Sequence, residues 1–262
     1  MPAKNFHSKP DLLEAALAPY DLAGKRVLDA GTGHMSARAL LRKKPASATL
    51  VAAPGDERKA KPAREVLAEF RAAEAKVVLG DLTDIELFQR GSFDFILADY
   101  LIGEIDCFSP SAQFPILRNL YAWLSPGAGL LIIDIEPTPG RAPGGAATLA
   151  DLQYWGQAAN LLSRQWRTLP RDYEGSLVAS WLEAIGFQTV RIDHCERILE
   201  PKDAKELHER ALRCISELAN ENLRVGLKHE VDETLARIDR EQKSGLLDLT
   251  QINYIIRAAK TA

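Results

Sequence analysis

Between Arg26 and Pro137 the chain repeats one pattern: a short run of nearly uninterrupted apolar residues, a turn, then an amphipathic stretch at helical spacing. The runs are "RVLDA", "ATLVAA", "AKVVL", "SFDFILAD" and "GLLIIDIE". A strand that is apolar on consecutive residues has both faces covered, the condition of a parallel sheet between helices. Strand and helix in alternation predict a doubly wound α/β sheet. Such sheets bind ligands at the carboxyl ends of their strands, so the acids and glycines there carry the functional information.

Helices are predicted over "SKPDLLEAALA", with Ser8 as N-cap, after the first glycine turn, over "KPAREVLAEFRAA", and over "FPILRNLYAWL", the last stopped by Pro126 and Gly127. Past Pro137 the rhythm changes. "PTPGRAPGGAAT" reads as a mobile loop, and "LADLQYWGQAANLLSRQWR" reads as helical, carrying Tyr154, Trp155 and Trp166. An amphipathic helix ending at Gly186 and an alternating strand, "QTVRIDHCERIL", follow. Residues 201–244 carry two apolar stripes, Leu207–Ala211–Ile215–Leu218 and Val231–Leu235–Ile238, with Gly226 as the expected break. They predict a helical hairpin inserted before a final strand, "INYIIRAAK".

Charge bounds the partners. The 262 residues hold 33 basic and 36 acidic side chains, a net charge of −3, with no block of one sign. Phosphate-neutralising surfaces are basic, so nucleic acid is disfavoured. No stretch approaches the length of a membrane span, and "MPAKNFHSKP" lacks the apolar core of a signal peptide. The three cysteines are scattered without metal-site spacing. These features predict a cytoplasmic protein.

The first turn, "VLDAGTGHMS", is the most informative segment. Glycines between strand and helix let backbone approach a ligand closely. A dinucleotide site uses G-x-G-x-x-G, with pyrophosphate on the helix N-terminus. Here Gly31 and Gly33 are present, but the third glycine is missing, and Asp29 precedes the turn. A carboxylate there repels pyrophosphate and attracts an ammonium. Asp29 therefore points to a zwitterionic amino-acid ligand.

"VLDAGTG" resembles the first motif of class I S-adenosylmethionine-dependent methyltransferases, and "VVLGDLTDI", "FDFILADYLI", "LSPGAGLLIIDIEP", "WLEAIGFQTVRI" and "NYIIRAAK" resemble the family's later segments in order. The resemblance implies a Rossmann-like doubly wound sheet of seven strands, the last antiparallel, in a single domain over 1–262. It implies S-adenosylmethionine as cofactor, held by Asp29, Gly31, Gly33 and His34 at the turn and by Asp81 and Leu82 near the adenine. The family's usual ribose-binding acid after the second strand is replaced by Ala52 and Ala53, so Asp56 is the expected substitute if the loop curls back.

Methyl transfer needs an aligned nucleophile and sometimes a base. Asp99 and Tyr100, at the end of the fourth apolar run, are the catalytic candidates, Asp99 also bordering the cofactor. Glu104, Asp106, Asp134 and Glu136 are further strand-end acids, readable as ligands for a cationic substrate or metal, or as surface acids; no metal site is predicted. The expected acceptor is a small molecule. The hairpin is read as a lid, a homodimer contact or a layer packed on the sheet. Two other readings compete: a non-catalytic binding protein on the same fold, favoured by the missing ribose acid, and a nucleotide-dependent oxidoreductase, disfavoured by the incomplete glycine pattern.

Overall fold

A computed structural model of the protein describes residues 5–6, 8–71, 74–137, 154–156, 158, 171–198, 201–244 and 250–262. The segment 138–153 and Trp166, singled out above, lie outside the described residues. The chain divides into two compact units, a larger one of Lys9–Glu136, Pro170–Cys195 and Asn253–Ala262, and a smaller one of Met1–Ser8, Pro137–Leu169 and Glu196–Ile252.

The larger unit is built on the strands β2 (Arg26–Ala30), β3 (Ser47–Ala52), β4 (Ala75–Leu79), β5 (Phe93–Asp99) and β6 (Leu124–Ile135), with β7 (Gln188–Ile198) as far as Cys195 and β8 (Thr250–Ala259) from Asn253 on. Their order is β7-β8-β6-β5-β2-β3-β4. The pairings β2–β3, β3–β4, β2–β5 and β5–β6 are parallel, and β8 runs antiparallel to β6. This is the expected Rossmann-like sheet with its antiparallel last strand. From β2 the chain winds outward through β3 and β4, then returns to place β5 on the other side of β2. The carboxyl ends of β2 and β5 therefore flank the reversal point, where such sheets open a crevice.

Alternation along the strands sorts the side chains onto two faces. Leu28, Ala30, Ile96, Ala98 and Ile132 pack with Leu117, Leu120 and Trp123 of helix α5 (Gln113–Trp123) and with Val178 and Leu182 of the helix Gly175–Ile185. Asp29, Leu97, Asp99 and Ile133 take the opposite face, as their ladder partners show. On that side Tyr20, just past helix α1 (Lys9–Leu17), packs its ring 4.7 Å from that of Phe95. Helices α2 (His34–Arg42), α3 (Glu57–Phe70) and the short α4 (Leu101–Glu104) follow β2, β3 and β5.

Three boundaries differ from expectation. Helix α3 begins at Glu57 and carries Pro62 inside it. Helix α5 ends at Trp123, so β6 already includes Pro126 and Gly127. The expected hairpin is present as Pro201–Ser216 and Glu221–Lys243, but Gly226 lies inside the second helix. The break falls before it, where Asn220 caps the helix by accepting from Leu223 N at 3.1 Å. An Asn cap satisfies an orphan N–H, whereas a helical glycine costs about 1 kcal/mol and need not break the helix. Ala211, Ile215, Leu218, Val231 and Ile238 bury the predicted stripes within the smaller unit, with Trp155 against them. There too a two-residue strand, β1 (Asn5–Phe6), pairs with Glu196 and Arg197.

Candidate functional site

The glycine turn leaves β2 at Ala30. Gly31 has φ +82°, and the N–H groups of Gly31 and Thr32 both donate to Val51 O, at 3.0 and 2.7 Å, which tacks the turn onto β3. A Cβ at position 31 would lie 2.8 Å from Leu101 Cδ1, whereas nothing lies within 4 Å of one at Gly33. Backbone is thus open to close approach at the second glycine.

Asp29 is fully buried. Its Oδ2 accepts from the Thr32 hydroxyl at 2.5 Å and the Ser36 hydroxyl at 2.7 Å, while its Oδ1 has no hydrogen-bond partner. Ser36 Oγ also accepts from Gly33 N at 3.0 Å. Ser36, at the position of the missing third glycine, therefore ties the turn to the carboxylate. Burial pushes the Asp29 carboxyl up to about 7, against the two hydroxyls; the neighbouring Asp99 charge raises it further and Lys9 lowers it.

Asp99 is buried at the end of β5, with Oδ2 3.1 Å from Lys9 Nζ and Oδ1 without a partner. The Lys9 ammonium also sits 3.8 Å from the centre of the Tyr100 ring, a cation–π distance. Tyr100 has φ +54°, donates its N–H to Ile133 O at 2.7 Å, and donates its hydroxyl to Asn253 Oδ1 at 2.6 Å. Sequence reasoning did not single out Lys9. The signal was available: a cation in the first turn of a helix opposes the helix dipole, so it needs another reason to be there.

A pocket enclosing about 870 Å³, including its open mouth, lies over the ends of β2 to β5. Gly31 and Thr32 form its floor; Leu82, Leu101, Ile105, Phe108 and Ile116 form apolar walls; Asp56, Asp81 and Glu104 supply carboxylates and Lys59 an ammonium. Asp56 reaches it because a turn closes from Asp56 N to Ala53 O at 3.0 Å, with Gly55 at φ +76°. The loop after β3 does curl back, and Asp56 is buried at the start of α3. Asp81 is held in an Asx turn, its Oδ1 accepting from the N–H and the hydroxyl of Thr83, both at 2.8 Å.

Of the expected site residues, Gly31, Asp56, Asp81, Leu82 and Tyr100 line this pocket, and Asp29, Gly33, His34 and Asp99 do not. His34 is exposed at the start of α2. Asp106 is engaged by the Tyr173 hydroxyl at 2.7 Å and by Ser111 N at 2.9 Å. Among the described residues no group of three or more His, Cys, Asp or Glu side chains could hold a metal, and no helix is long and apolar enough to cross a membrane.

Comparison with known proteins gives the following. The family described as "Methyltransferase domain" matches residues 3–192. No curated protein matches the sequence. Among solved structures, a SAM-dependent methyltransferase from Archaeoglobus fulgidus aligns at a TM-score of 0.54 and 17% identity, over 97% of this chain and 95% of its own. A Haemonchus contortus phosphoethanolamine N-methyltransferase 2, bound to phosphomonomethylethanolamine and S-adenosylhomocysteine, aligns at 0.57 and 16%, over 96% of this chain and 53% of its own. The [4+2]-cyclase SpnF aligns at 0.57 and 14%, over 97% and 81%.

Proposed function

The chain belongs to the methyltransferase-domain family, and from that premise we propose that it transfers the methyl group of S-adenosylmethionine to a small-molecule acceptor, with the crevice at β2 and β5 as the cofactor site. The cofactor, when bound, supplies a methyl group already activated on a sulfonium. The protein's part is to bind, orient and exclude water.

One observation carries the site assignment. Asp29 Oδ1 and Asp99 Oδ1 are buried carboxylate oxygens without donors, on the same sheet face at neighbouring strand ends. An unsatisfied buried acceptor is costly, and an α-ammonium supplies the missing donors. The residues present therefore fit an amino-acid zwitterion, as the carboxylate before the glycines suggested. Lys9 would offset its carboxylate, Gly33 would allow backbone contact, Asp56 would take the ribose hydroxyls in place of the family's usual acid, and Asp81 with Leu82 would border the adenine. Asp99 remains the candidate for orienting the acceptor. The Tyr100 hydroxyl is engaged by Asn253, so Tyr100 contributes its ring to the pocket wall.

The cyclase on the same fold is a reminder that fold alone does not set the reaction. The Haemonchus enzyme is bound to phosphomonomethylethanolamine, a phosphorylated amino alcohol, and that ligand supports a small polar acceptor here.

Calorimetry tests the reading. S-adenosylmethionine should bind at micromolar concentration, Asp56→Asn and Asp81→Ala should each weaken it about tenfold, the loss of one hydrogen bond to a charged group, and binding at pH 6 should release protons as the Asp29 carboxyl ionises against the ammonium. Absence of binding would refute the assignment.

A further inference from the structure

The end of β6 carries a second polar centre, on the sheet face opposite Asp29 and Asp99, that the cofactor site does not use. Asp134 and Tyr254 are ladder partners across β6 and β8, so their side chains leave the same side of the sheet. Tyr254 is fully buried, yet its hydroxyl has no hydrogen-bond partner. Asp134 is already committed: Oδ2 accepts from Ile102 N at 2.9 Å and Gly103 N at 3.3 Å, and Oδ1 from Ile135 N at 2.9 Å. Glu136 accepts from Gly175 N at 3.2 Å and meets His194 Nε2 at 2.7 Å. Gly175 is the point of contact, since a Cβ there would lie 2.9 Å from both Glu136 Oε1 and the Tyr254 ring.

Asp172, three residues before Gly175, differs from the other two acids. Among the described residues it has neither a hydrogen bond nor an ion pair. Burial raises its carboxyl to about 6. Burial, followed by the charges of Asp134, Glu136 and Asp172, also pushes the Tyr254 phenol up. No lysine or arginine among the described residues pairs with any of the three carboxylates.

The centre is thus negative, half-buried at Asp172, and without a partner for the fully buried Tyr254 hydroxyl. Uncompensated charge held partly away from water and an unpaired buried hydroxyl are costly in the free protein. A protonated nitrogen relieves both. A neutral hydroxyl leaves the charge unbalanced, and an anion adds to it. We propose that Asp172 and Tyr254 form a recognition site for a protonated amino group on the methyl acceptor, its N–H groups donating to the Asp172 carboxylate and the Tyr254 oxygen, with Glu136 adding negative charge. The proposal rests on the methyltransferase reading. It places amine recognition beside the cofactor pocket, because one short helix touches both. Asp134 holds the first-turn N–H groups of α4, Arg171 N donates to Gly103 O at 3.2 Å, and Leu101 and Glu104 of that helix line the pocket.

The test titrates ethanolamine, ethylene glycol and acetate into the protein by calorimetry at pH 7.5, with and without S-adenosylmethionine. Ethanolamine should bind saturably and the other two at least about tenfold more weakly, the value of one charge-assisted hydrogen bond. Asp172→Asn, outside any helix or strand, should weaken ethanolamine by a similar factor and leave S-adenosylmethionine binding unchanged. Tyr254→Phe separates ligand recognition from a structural role. It removes a hydroxyl that bonds to nothing in the free protein, so the variant should be as stable as the parent or more so, while binding ethanolamine more weakly. Equal ethanolamine affinity in Asp172→Asn, ethylene glycol binding as well as ethanolamine, or Tyr254→Phe losing stability with affinity intact would each overturn the site. If S-adenosylmethionine fails to bind, the methyltransferase reading falls whatever ethanolamine does. If it binds and ethanolamine does not, the amine site falls alone.

Discussion

Ser36 stands where a dinucleotide site has its third glycine, and its side chain does what a glycine cannot: it donates to Asp29 and accepts from Gly33 N. Ser36→Ala removes both bonds at once. The expected cost is roughly 1–3 kcal/mol of unfolding free energy, read from urea denaturation, together with weaker S-adenosylmethionine binding because the turn loses its tie. An unchanged denaturation midpoint would mean that Thr32 alone holds the carboxylate. At this scale the sequence was readable where chemistry and chain position coincide, as with Gly31, Asp56 and Asp81, all found on the pocket wall. It was silent where a role depends on distant chain. Nothing near Lys9 announces Asp99, ninety residues on, and nothing near Asp172 announces Tyr254.

The elements themselves were legible from periodicity, because the strands of the parallel core read as short runs dominated by apolar residues and the helices between them as amphipathic stretches. Their ends were less so. The predicted helix opened with Lys61 and Pro62, but the preceding residues already wind from Glu57, so the proline lies past the first turn, where its missing N–H removes an intrahelical bond. β1 is two residues long and has no periodicity to read. Helix α5 shows what fixes an element in place. Trp123 is completely buried, stacks edge-on against Phe88, and donates its indole N–H to Ile85 O at 3.0 Å. Trp123→Ala should cost about 3–5 kcal/mol, measurable as a fall in the denaturant midpoint with the slope unchanged. A loss below about 1 kcal/mol, the cost of an ordinary substitution, would show that the helix is held elsewhere.

For the whole molecule, the buried acids dictate a response to pH. The Asp29 and Asp134 carboxyls sit near 7 because burial opposes their charge, and that of Asp172 near 6 for the same reason. The folded protein therefore holds more protons than the unfolded chain between about pH 4 and pH 7, so stability falls as pH rises through that window. Asp94 acts in the other direction. Its hydrogen bonds with Arg26 draw it down to about 2, so its contribution is lost only on strong acidification. Thermal unfolding should accordingly occur at a higher temperature at pH 5 than at pH 8. Asp29→Asn should shrink that difference, by an amount corresponding to roughly 2–4 kcal/mol. An undiminished difference in the variant would rule out Asp29 as its source.

β8 lies in the interior of the sheet, although it is the last of the described strands in chain order. A nascent polypeptide that has emerged only as far as the second hairpin helix presents two raw edges, on β6 and on β7, with the backbone groups of both unanswered. Both polar centres also wait on this strand, since Asn253 receives Tyr100 and Tyr254 faces Asp134. Closure of the sheet and completion of both polar centres therefore depend on the same late-emerging strand.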